Sequence, residues 1–566
     1  MRNFHPSYNL LTLENFQSIK NRTEIPIRPL TFLYGPNSAG KSSILDALSF
    51  LEAVFKSDDV VVRQMTERWR HIPNASSIDQ LASDMSVNAK FTDFHDIFNE
   101  WEGHVRSDLP EEVRGHYPFL NIDQKNKANQ LNKFQDIEIE TKGFGEWLSI
   151  EVLLSGEKIL KTYLPDNDGD PEETKGRTNE NVYILEIFCG PFDSRLNQLA
   201  SKHGEFIEGT TSYKTPCQLS FGPLTLNVPL AYYSPFESDL LSIGNFILKC
   251  LRWLTFRPPN VDSDRGTISN QCLSSFHFAS SYVSKYEGKT TPRLTLAPAL
   301  AFGPLNKLSH GAVADLAAAK FQQQKEIWIQ TEEGKPTTGL VAALVDATRN
   351  FENTTVLLNN GAPDTESLHI FVNRCLSEHL FLDQGYQLTY DVCRVFPSDL
   401  SGSTNADVFA ALIACALIDS AGRSLTFEDV GTGISCVLPV LTALYSKESF
   451  IQQPELHLHP ALQSALADIL VERAKSWEGS ARHIIETHSE YLLLRCLRRV
   501  RETTLGRQPL NSPLSLSKDD VSVLYFDPQP DGTTTVKTLR VSTQGDFIDR
   551  WPRGFFEERA TEIFDE

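Results

Sequence analysis

The chain of 566 residues lacks several features that would each point to a particular class of protein. It has no run of about 18 apolar residues, so no helix across a membrane is predicted. Its first residues, MRNFHPSYNLL, lack the basic segment and long apolar stretch of a secretory signal. No repeat period is visible, and no long heptad run predicts a coiled-coil arm.

Closely spaced cysteine pairs are also missing. No two cysteines form a C-x-x-C pair, which argues against a zinc site or a disulfide framework and favours reduced thiols in a cytoplasmic protein. The nine cysteines are Cys189, Cys217, Cys250, Cys272, Cys375, Cys393, Cys415, Cys436 and Cys496.

Basic residues are outnumbered, with 53 Lys and Arg against 73 Asp and Glu, for a formal net charge of −20. Binding to the DNA backbone is electrostatic, so the whole surface is not expected to wrap nucleic acid. A local basic patch could still contact DNA. The acidity also suits a protein whose partner carries the basic surface.

The strongest motif present is GPNSAGKSS, which contains the pattern G-x-x-x-x-G-K-[ST]. An apolar strand pattern precedes it at 29–34 and helical spacing follows at 42–55, the context that a phosphate-binding loop requires. Backbone N–H groups of such a loop face phosphate oxygens, Lys41 reaches the terminal phosphates, and the Ser42 hydroxyl can bind Mg²⁺. The predicted nucleotide contacts are Gly35, Pro36, Asn37, Ser38, Ala39, Gly40, Lys41, Ser42 and Ser43.

After this loop the predicted secondary structure changes twice along the chain. Strand patterns dominate from about 135 to 235, and the stretch 257–400 is mixed, with helix-like KFQQQKEIWIQ and strand-like YQLTYDVCRVF. From residue 405 onward, two helices are predicted by apolar spacing: an apolar helix in NADVFAALIACALIDSA (405–421) and an amphipathic helix in ALQSALADILVERAKSW. A Gly-rich turn running into a helix is predicted at 429–445. Strands are predicted at 448–460, where the strand ends in a Pro turn, at 481–489, and in VSVLYF.

Three stretches together carry a family resemblance: GPNSAGKSS, FIQQPELHLHP (450–460) and a following strand that ends in THS (487–489). They resemble the ABC-type ATPases of the SMC and OLD (overcoming lysogenization defect) group. The resemblance covers about 1–55 and 425–490. It implies that His488 is the switch histidine at the γ-phosphate. It also implies that Gly431, Gly433 and Ser435 form a signature loop that closes over ATP bound to a second subunit.

The chain departs from this group at Gln452 and Gln453, where the resemblance leads us to expect carboxylates that hold the Mg²⁺ shell and polarise the attacking water. A glutamine orients water but neither accepts its proton nor brings negative charge to a metal. Three interpretations remain open: a slow ATPase that uses ATP binding as a switch, an engineered carboxylate-to-Gln variant, or a takeover of the role by Glu455. Some OLD-like ATPases carry Glu-Gln-Pro-Glu here, which leaves Gln452 as the unusual residue.

Three further features of the sequence each allow a structural and a functional interpretation. His457 and His459 alternate without a third ligand nearby, so a structural role is favoured over a metal site. Arg495, Arg498 and Arg499 share one helix face, which favours a solvated helix end over a nucleic-acid or partner contact. The tail WPRGFF (551–556) resembles an element of OLD-like ATPases without a nuclease domain, and its composition favours a packing role.

We therefore predict an α/β fold of the P-loop NTPase class: an ABC-type ATPase head assembled from both chain ends, with a large mixed α+β insertion. The predicted domains are 1–90 with the phosphate loop, 91–400 as the insertion, and 401–566 with the signature, the Gln452 strand, the switch histidine and the tail. Catalytic roles are assigned to Gln452, Gln453, Glu455 and His488, Mg²⁺ contacts to Ser42 and Gln452, and the cofactors are ATP and Mg²⁺.

The chain looks most like the Septu defence ATPases, including the retron-associated versions. The resemblance implies a cytoplasmic homodimer or higher even oligomer that regulates an HNH nuclease, with a reverse transcriptase and its nucleic-acid product as further partners. Too few residues follow His488 for an OLD nuclease domain. A DNA-repair or chromosome-maintenance ATPase and a non-hydrolysing, ATP-dependent scaffold are the alternatives.

Overall fold

A computed structural model describes residues 7–56, 85–92, 136–144, 147–163, 183–189, 193–205, 208–220, 225–227, 235–251, 260–261, 368–382, 384–395, 410–425, 432–445, 448–476, 481–509 and 512–552. The predicted loop at 165–181 and the helix-like stretch KFQQQKEIWIQ lie outside these residues. None of the described helices is both long and apolar enough to cross a membrane.

Several strands in succession separate most of the helices along the described part of the chain. The strands are β1 (Ser7–Glu14), β2 (Thr23–Pro26), β3 (Leu30–Tyr34), β4 (Met85–Thr92), β5 (Ile137–Phe144), β6 (Trp147–Leu154), β7 (Glu157–Tyr163), β8 (Tyr183–Phe188), β9 (Ser212–Ser220), β10 (Thr225–Asn227), β11 (Asn260–Val261), β12 (Gln387–Val395), β13 (Ala410–Ile418), β14 (Ser424–Leu425), β15 (Glu448–Gln452), β16 (Arg482–Glu486), β17 (Val521–Pro528) and β18 (Thr534–Leu539). The α-helices are α1 (Ser43–Lys56), α2 (Asp193–His203), α3 (Pro235–Leu251), α4 (Leu368–Arg374), α5 (Thr432–Tyr445), α6 (Pro460–Lys475) and α7 (Glu490–Thr504).

The chain divides into two compact units. Unit 1 consists of Met1–Ile27, Gly35–Arg257 and Leu524–Thr538. Unit 2 consists of Arg28–Tyr34, Pro258–Val523 and Leu539–Glu566. The chain thus passes from unit 2 to unit 1 at the Tyr34–Gly35 peptide bond, where the predicted phosphate loop begins.

Unit 1 contains a nine-stranded antiparallel sheet in the order β10-β9-β8-β7-β6-β5-β4-β1-β2. Its strands alternate buried apolar and partly exposed polar residues, as Ile137, Glu138 and Ile139 do on β5, the period-2 pattern of a sheet with one buried face. Helix α3 lies close to the sheet at Gly244, where an added Cβ would lie 2.7 Å from a Leu226 methyl group. The strand-rich prediction for about 135–235 is confirmed.

Unit 2 contains parallel strands in the order β11-β15-β16-β3. The same sheet order continues with β17 and β18. Strand β16 pairs with β15 on one side and with β3 on the other, both in parallel. The central residues of these strands are fully buried apolar side chains, including Phe32, Phe450 and Ile484, as expected for a parallel sheet covered on both faces.

One predicted helix is wrong. The apolar stretch 405–421 contains a strand, β13, which pairs antiparallel with β12 over nine residues from Gln387↔Ile418 to Val395↔Ala410. A continuous apolar run has no periodicity that distinguishes a buried strand from a buried helix. Pairing with β12 therefore determines that this stretch is a strand. The strand-like stretch YQLTYDVCRVF is confirmed as β12.

Candidate functional site

The predicted phosphate loop in unit 1 requires backbone conformations that glycine adopts most easily. Gly35 has φ +139° and Gly40 has φ +84°. An added Cβ would lie 2.5 Å from the Phe526 carbonyl oxygen at Gly35 and 2.4 Å from Ser18 Oγ at Gly40. Both glycines are therefore required by φ and by space, because contacts this short force neighbouring atoms to move.

The Lys41 ammonium group lies against its own loop. Its Nζ donates to the carbonyl oxygens of Gly35 at 3.0 Å and Pro36 at 2.8 Å, and Lys41 is only 4% exposed. Ser42 follows as an exposed residue. The loop thus places a buried cation and an exposed hydroxyl group in consecutive positions, immediately before helix α1.

A turn after β1 fixes the start of α1, which the sequence did not reveal. Gln17, with φ +50°, accepts a hydrogen bond from Ser43 Oγ at 2.5 Å and donates to Asp46 Oδ2 at 2.6 Å. Thr534 contacts both stretches, since its N–H donates to the Ser18 carbonyl and its hydroxyl donates to the Ala39 carbonyl at 3.0 Å. The positive φ of Gln17 has no sequence signal, because glutamine rarely adopts it.

In unit 2 the predicted catalytic residues lie at the carboxyl ends of adjacent parallel strands. Gln452 ends β15 and is the register partner of Glu486, which ends β16. Glu486 in turn pairs with Leu33 of β3. Gln453 adopts φ +47° and its N–H donates to the Glu486 carbonyl. Parallel strands present their carboxyl ends at one edge of a sheet, where α/β proteins bind ligands.

Glu455 is held by the loop that follows β16. Its Oε2 accepts from the Thr487 hydroxyl at 2.7 Å, and its Oε1 accepts from the backbone N–H of His488 at 2.8 Å. The structure therefore brings Gln452, Gln453, Glu455 and His488 onto two neighbouring loops of unit 2. Both carboxylate oxygens of Glu455 are engaged, so this side chain orients the His488 segment.

Tyr34, the last residue of β3, is tied to the same segment. Its hydroxyl donates to the Ser489 carbonyl at 3.0 Å, and burial together with the nearby charge of Glu455 raises its pKa well above the ordinary value. Its ring meets Trp551 edge-on at 5.3 Å, and Trp551 also packs against Phe547. The predicted packing role is thus confirmed for Trp551, while residues 553–556 of the tail lie outside the described part.

The predicted signature residues are described in part. Gly433 and Ser435 lie near the start of α5, whereas Gly431 lies outside the described residues. An added Cβ at Gly433 would lie 3.0 Å from the His457 carbonyl. This close approach places the beginning of α5 against the turn between β15 and α6.

One of the two histidines of this turn has a structural contact. His459 caps α6, because its Nδ1 accepts from the Ala461 N–H at 3.3 Å. His457 is exposed and adopts φ +59°. Among the described residues, no group of three or more His, Cys, Asp or Glu side chains could hold a metal.

Of the three arginines on the predicted face of α7, Arg498 is exposed as a solvated helix end predicts, while the other two pair with a neighbouring helix. Arg495 and Arg499 each form two-point contacts with Asp468 of α6, with shortest distances of 2.6 and 2.8 Å. Arg498 pairs with Glu502 within α7. Burial raises the pKa of Asp468, but hydrogen bonds from Arg499 and Arg495 outweigh burial and hold it below the ordinary value. This cluster joins two helices and buries the Arg499 guanidinium group, whereas Arg495 stays partly exposed.

Models of three protein families match parts of the chain. An AAA ATPase domain matches residues 9–184. An AAA domain model named for a candidate AbiEii toxin of type IV toxin–antitoxin systems matches residues 340–495. A protein family of unknown function, DUF3696, matches residues 516–565. No curated protein matches the chain significantly.

Solved structures of SMC heads are similar to the chain at low identity. An SMC head bound to the C-terminal winged-helix domain of ScpA is 11% identical, with a TM-score of 0.36 over 94% of this chain and 98% of that one. The SMC head from Thermotoga maritima is 10% identical, with a TM-score of 0.32 over 94% and 100%.

The two AAA matches cover the phosphate loop in one case and the Gln452 and His488 segments in the other. They lie toward opposite ends of an α/β chain, as the sequence predicted. The chain therefore carries two segments that match AAA ATPase domain models, one in each part of a mixed α/β fold.

Proposed function

We propose that residues Gly35–Ser43 bind ATP. The observation that carries this proposal is the loop geometry: two glycines that tolerate no Cβ, and the buried ammonium of Lys41 against the carbonyls of Gly35 and Pro36. A cation in this position can exchange its loop carbonyls for phosphate oxygens, which accept stronger, charge-assisted hydrogen bonds. The start of α1 adds the partial positive charge of a helix N-terminus.

The second part of the proposal concerns Mg²⁺ and hydrolysis. Mg²⁺ prefers oxygen ligands and usually keeps several waters beside one or two protein groups and the phosphates. The exposed hydroxyl of Ser42 fits that demand within its loop. When bound with ATP, the ion neutralises charge on the phosphates. In the proposed reaction His488 contacts the γ-phosphate, and Gln452 and Gln453 orient water without accepting its proton, so turnover is slow.

The biological proposal is a regulatory ATPase of an antiphage defence complex of the Septu or retron type. ATP-dependent pairing of two heads in the cytoplasm, through the Gly431–Ser435 segment, would control a partner HNH nuclease. A reverse transcriptase, its nucleic-acid product or DNA are further proposed partners. Support comes from the sequence resemblance in the phosphate loop, the PELHLHP turn and the WPRGFF tail.

A non-hydrolysing scaffold is the second candidate, and Gln452 favours it. Phosphate release by the purified protein with Mg²⁺ and ATP separates the two candidates. We expect slow release that depends on Lys41, together with a dimer in ATP that reverts to a smaller species in ADP. Co-purification with an HNH nuclease encoded beside this chain tests the defence role. ATP binding without any phosphate release would favour the scaffold.

A further inference from the structure

Ser489, the residue before helix α7, uses its hydroxyl group twice. The Oγ atom caps the helix by accepting the Leu492 N–H at 3.2 Å. The same hydroxyl donates its hydrogen to Gln463 Oε1 at 2.6 Å. A serine hydroxyl has one hydrogen to donate, so this bond commits it to α6, the helix that contains Gln463. Ser489 is buried, with 6% of its surface exposed.

The side-chain amide of Gln463 joins this hydroxyl to the turn that precedes α6. Its Oε1 accepts from Ser489, and its Nε2 donates to the Leu458 carbonyl at 2.9 Å. An amide presents an acceptor and a donor together, whereas a glutamate carboxylate only accepts. Gln463 therefore makes both contacts in one orientation, and a carboxylate at this position could keep only the first of them.

The turn that Gln463 holds lies against the start of helix α5. A Cβ added to Gly433 would lie 3.0 Å from the His457 carbonyl oxygen and 3.7 Å from Leu458 Cδ2. Segments packed this closely cannot move far without each other. The connection that leaves Ser489 through the Gln463 amide therefore reaches the beginning of α5, entirely within unit 2.

The main chain around His488 has two further anchors. Glu455 accepts the His488 N–H at 2.8 Å, and the Tyr34 hydroxyl donates to the Ser489 carbonyl at 3.0 Å. These two contacts fix the backbone at residues 488 and 489. What the Gln463 amide adds is the continuation from this segment to the start of α5.

We infer that Gln463 is a positioning residue that couples the His488 segment to the start of α5. The inference rests on the proposed ATP function, in which His488 contacts the γ-phosphate and the Gly431–Ser435 segment pairs with a second head. Hydrogen-bond networks carry energetic coupling between sites. A displacement of His488 on contact with phosphate would pass through the amide to the turn beside α5, so that nucleotide binding sets the geometry of the pairing segment.

The first experiment measures the connection without nucleotide. Hydrogen–deuterium exchange of the full-length protein is followed by mass spectrometry in peptides that cover α5. Gln463→Met has a similar length but forms neither hydrogen bond, and Gln463→Glu keeps only the one from Ser489. We expect exchange at the start of α5 to be about 2- to 30-fold faster in both variants than in the wild type. Gln384→Met is the matched control, because it removes an exposed amide from the same unit and should leave this exchange unchanged.

The second experiment separates coupling from loss of stability. A fluorescent, non-hydrolysable ATP analogue gives the binding affinity. Analytical ultracentrifugation gives the protein concentration at which the analogue induces pairing of two chains. We expect Gln463→Met to bind the analogue like the wild type but to need about 2- to 30-fold more protein to pair. An equal loss of affinity and pairing, with a lower melting temperature, would assign Gln463 a structural role alone and overturn the inference.

The remaining outcomes distinguish the inference from the proposal on which it rests. Wild-type exchange at the start of α5 in both Gln463 variants would overturn the inference alone. Analogue binding without pairing in the wild type would remove the role proposed for the α5 segment, and the inference with it. Failure of the wild-type protein to bind the analogue in a Lys41-dependent manner would instead overturn the proposed ATP function, while the exchange experiment would still decide whether Gln463 joins the two segments.

Discussion

The carboxylate of Glu455 accepts the backbone N–H of His488 at 2.8 Å, and its second oxygen accepts the Thr487 hydroxyl at 2.7 Å. One side chain therefore links the turn after β15 to the loop after β16. This bond uses the main-chain N–H of residue 488 and does not engage the His488 imidazole. Glu455 is in this way a positioning residue for the histidine.

Glu455→Gln should lower stability, because one amide oxygen and one amide N–H₂ replace two acceptors. A buried donor without an acceptor costs about 1–3 kcal/mol. Thermal melting of the variant should show a lower transition temperature than the wild type. Glu378→Gln, which alters an exposed carboxylate of the same unit, should melt like the wild type. Equal melting of all three proteins would contradict the link.

His488→Ala should impair turnover more than binding. The substitution keeps the main-chain bond to Glu455, so the loop stays in place while the group proposed to contact the γ-phosphate is lost. Loss of such a group typically costs about 100-fold in rate. Steady-state phosphate release and equilibrium binding of a fluorescent ATP analogue give the two quantities. Unchanged turnover would show that the switch role belongs to another residue.

Lys41→Ala should weaken ATP binding about 10- to 100-fold, the loss that corresponds to one charge-assisted hydrogen bond. The same fluorescent analogue measures it. Lys158→Ala is the control in the same unit, because Lys158 is exposed and pairs with Glu151 on the sheet. Equal ATP affinity of the wild type and Lys41→Ala would reject the phosphate-loop assignment.

Asp468→Asn should destabilise the protein by about 3–5 kcal/mol at neutral pH, because it leaves Arg495 and Arg499 without their shared carboxylate. The native pKa of Asp468 lies below its ordinary value. Its contribution is therefore complete above the unfolded pKa of about 4 and is lost as the pH falls through the native pKa. Urea unfolding at several pH values should show the two proteins converging in acid, whereas Arg498→Ala should stay close to the wild type.

His483 should make stability depend on mild acid. Burial, together with the charge of Arg473, lowers its pKa from 6.5 to about 3. The unfolded chain then binds one more proton than the folded chain between these pH values. Stability should fall by about 1.4 kcal/mol per pH unit from pH 6.5 downward. His483→Asn should remove this slope, and the same slope in both proteins would assign the effect to another group.

The local residue pattern predicted the phosphate loop and the elements on either side of it. Strand β3, the glycines and helix α1 occur where the spacing predicted them, because all three depend on residues next to one another in the chain. The strand before Pro454 and the strand that ends before Thr487 were predicted for the same reason.

Contacts between residues far apart in the chain set the features that the sequence pattern did not predict. The apolar run of β13 became a strand because β12 offers nine paired residues. The spacing of the α7 arginines predicts a solvated helix face, yet two of them form ion pairs with Asp468 of another helix. Glu486 has no motif that marks it, since only the register between β15 and β16 places it beside Gln452.

The phosphate loop and its flanking elements follow from the order of residues, because a G-x-x-x-x-G-K-S pattern and helix or strand periodicity act through the nearest residues. Only folding brings one carboxylate to His488 and another beside Gln452. Those pairings join residues more than 30 positions apart. They follow from strand register, and a shift of one residue would turn each side chain to the opposite face.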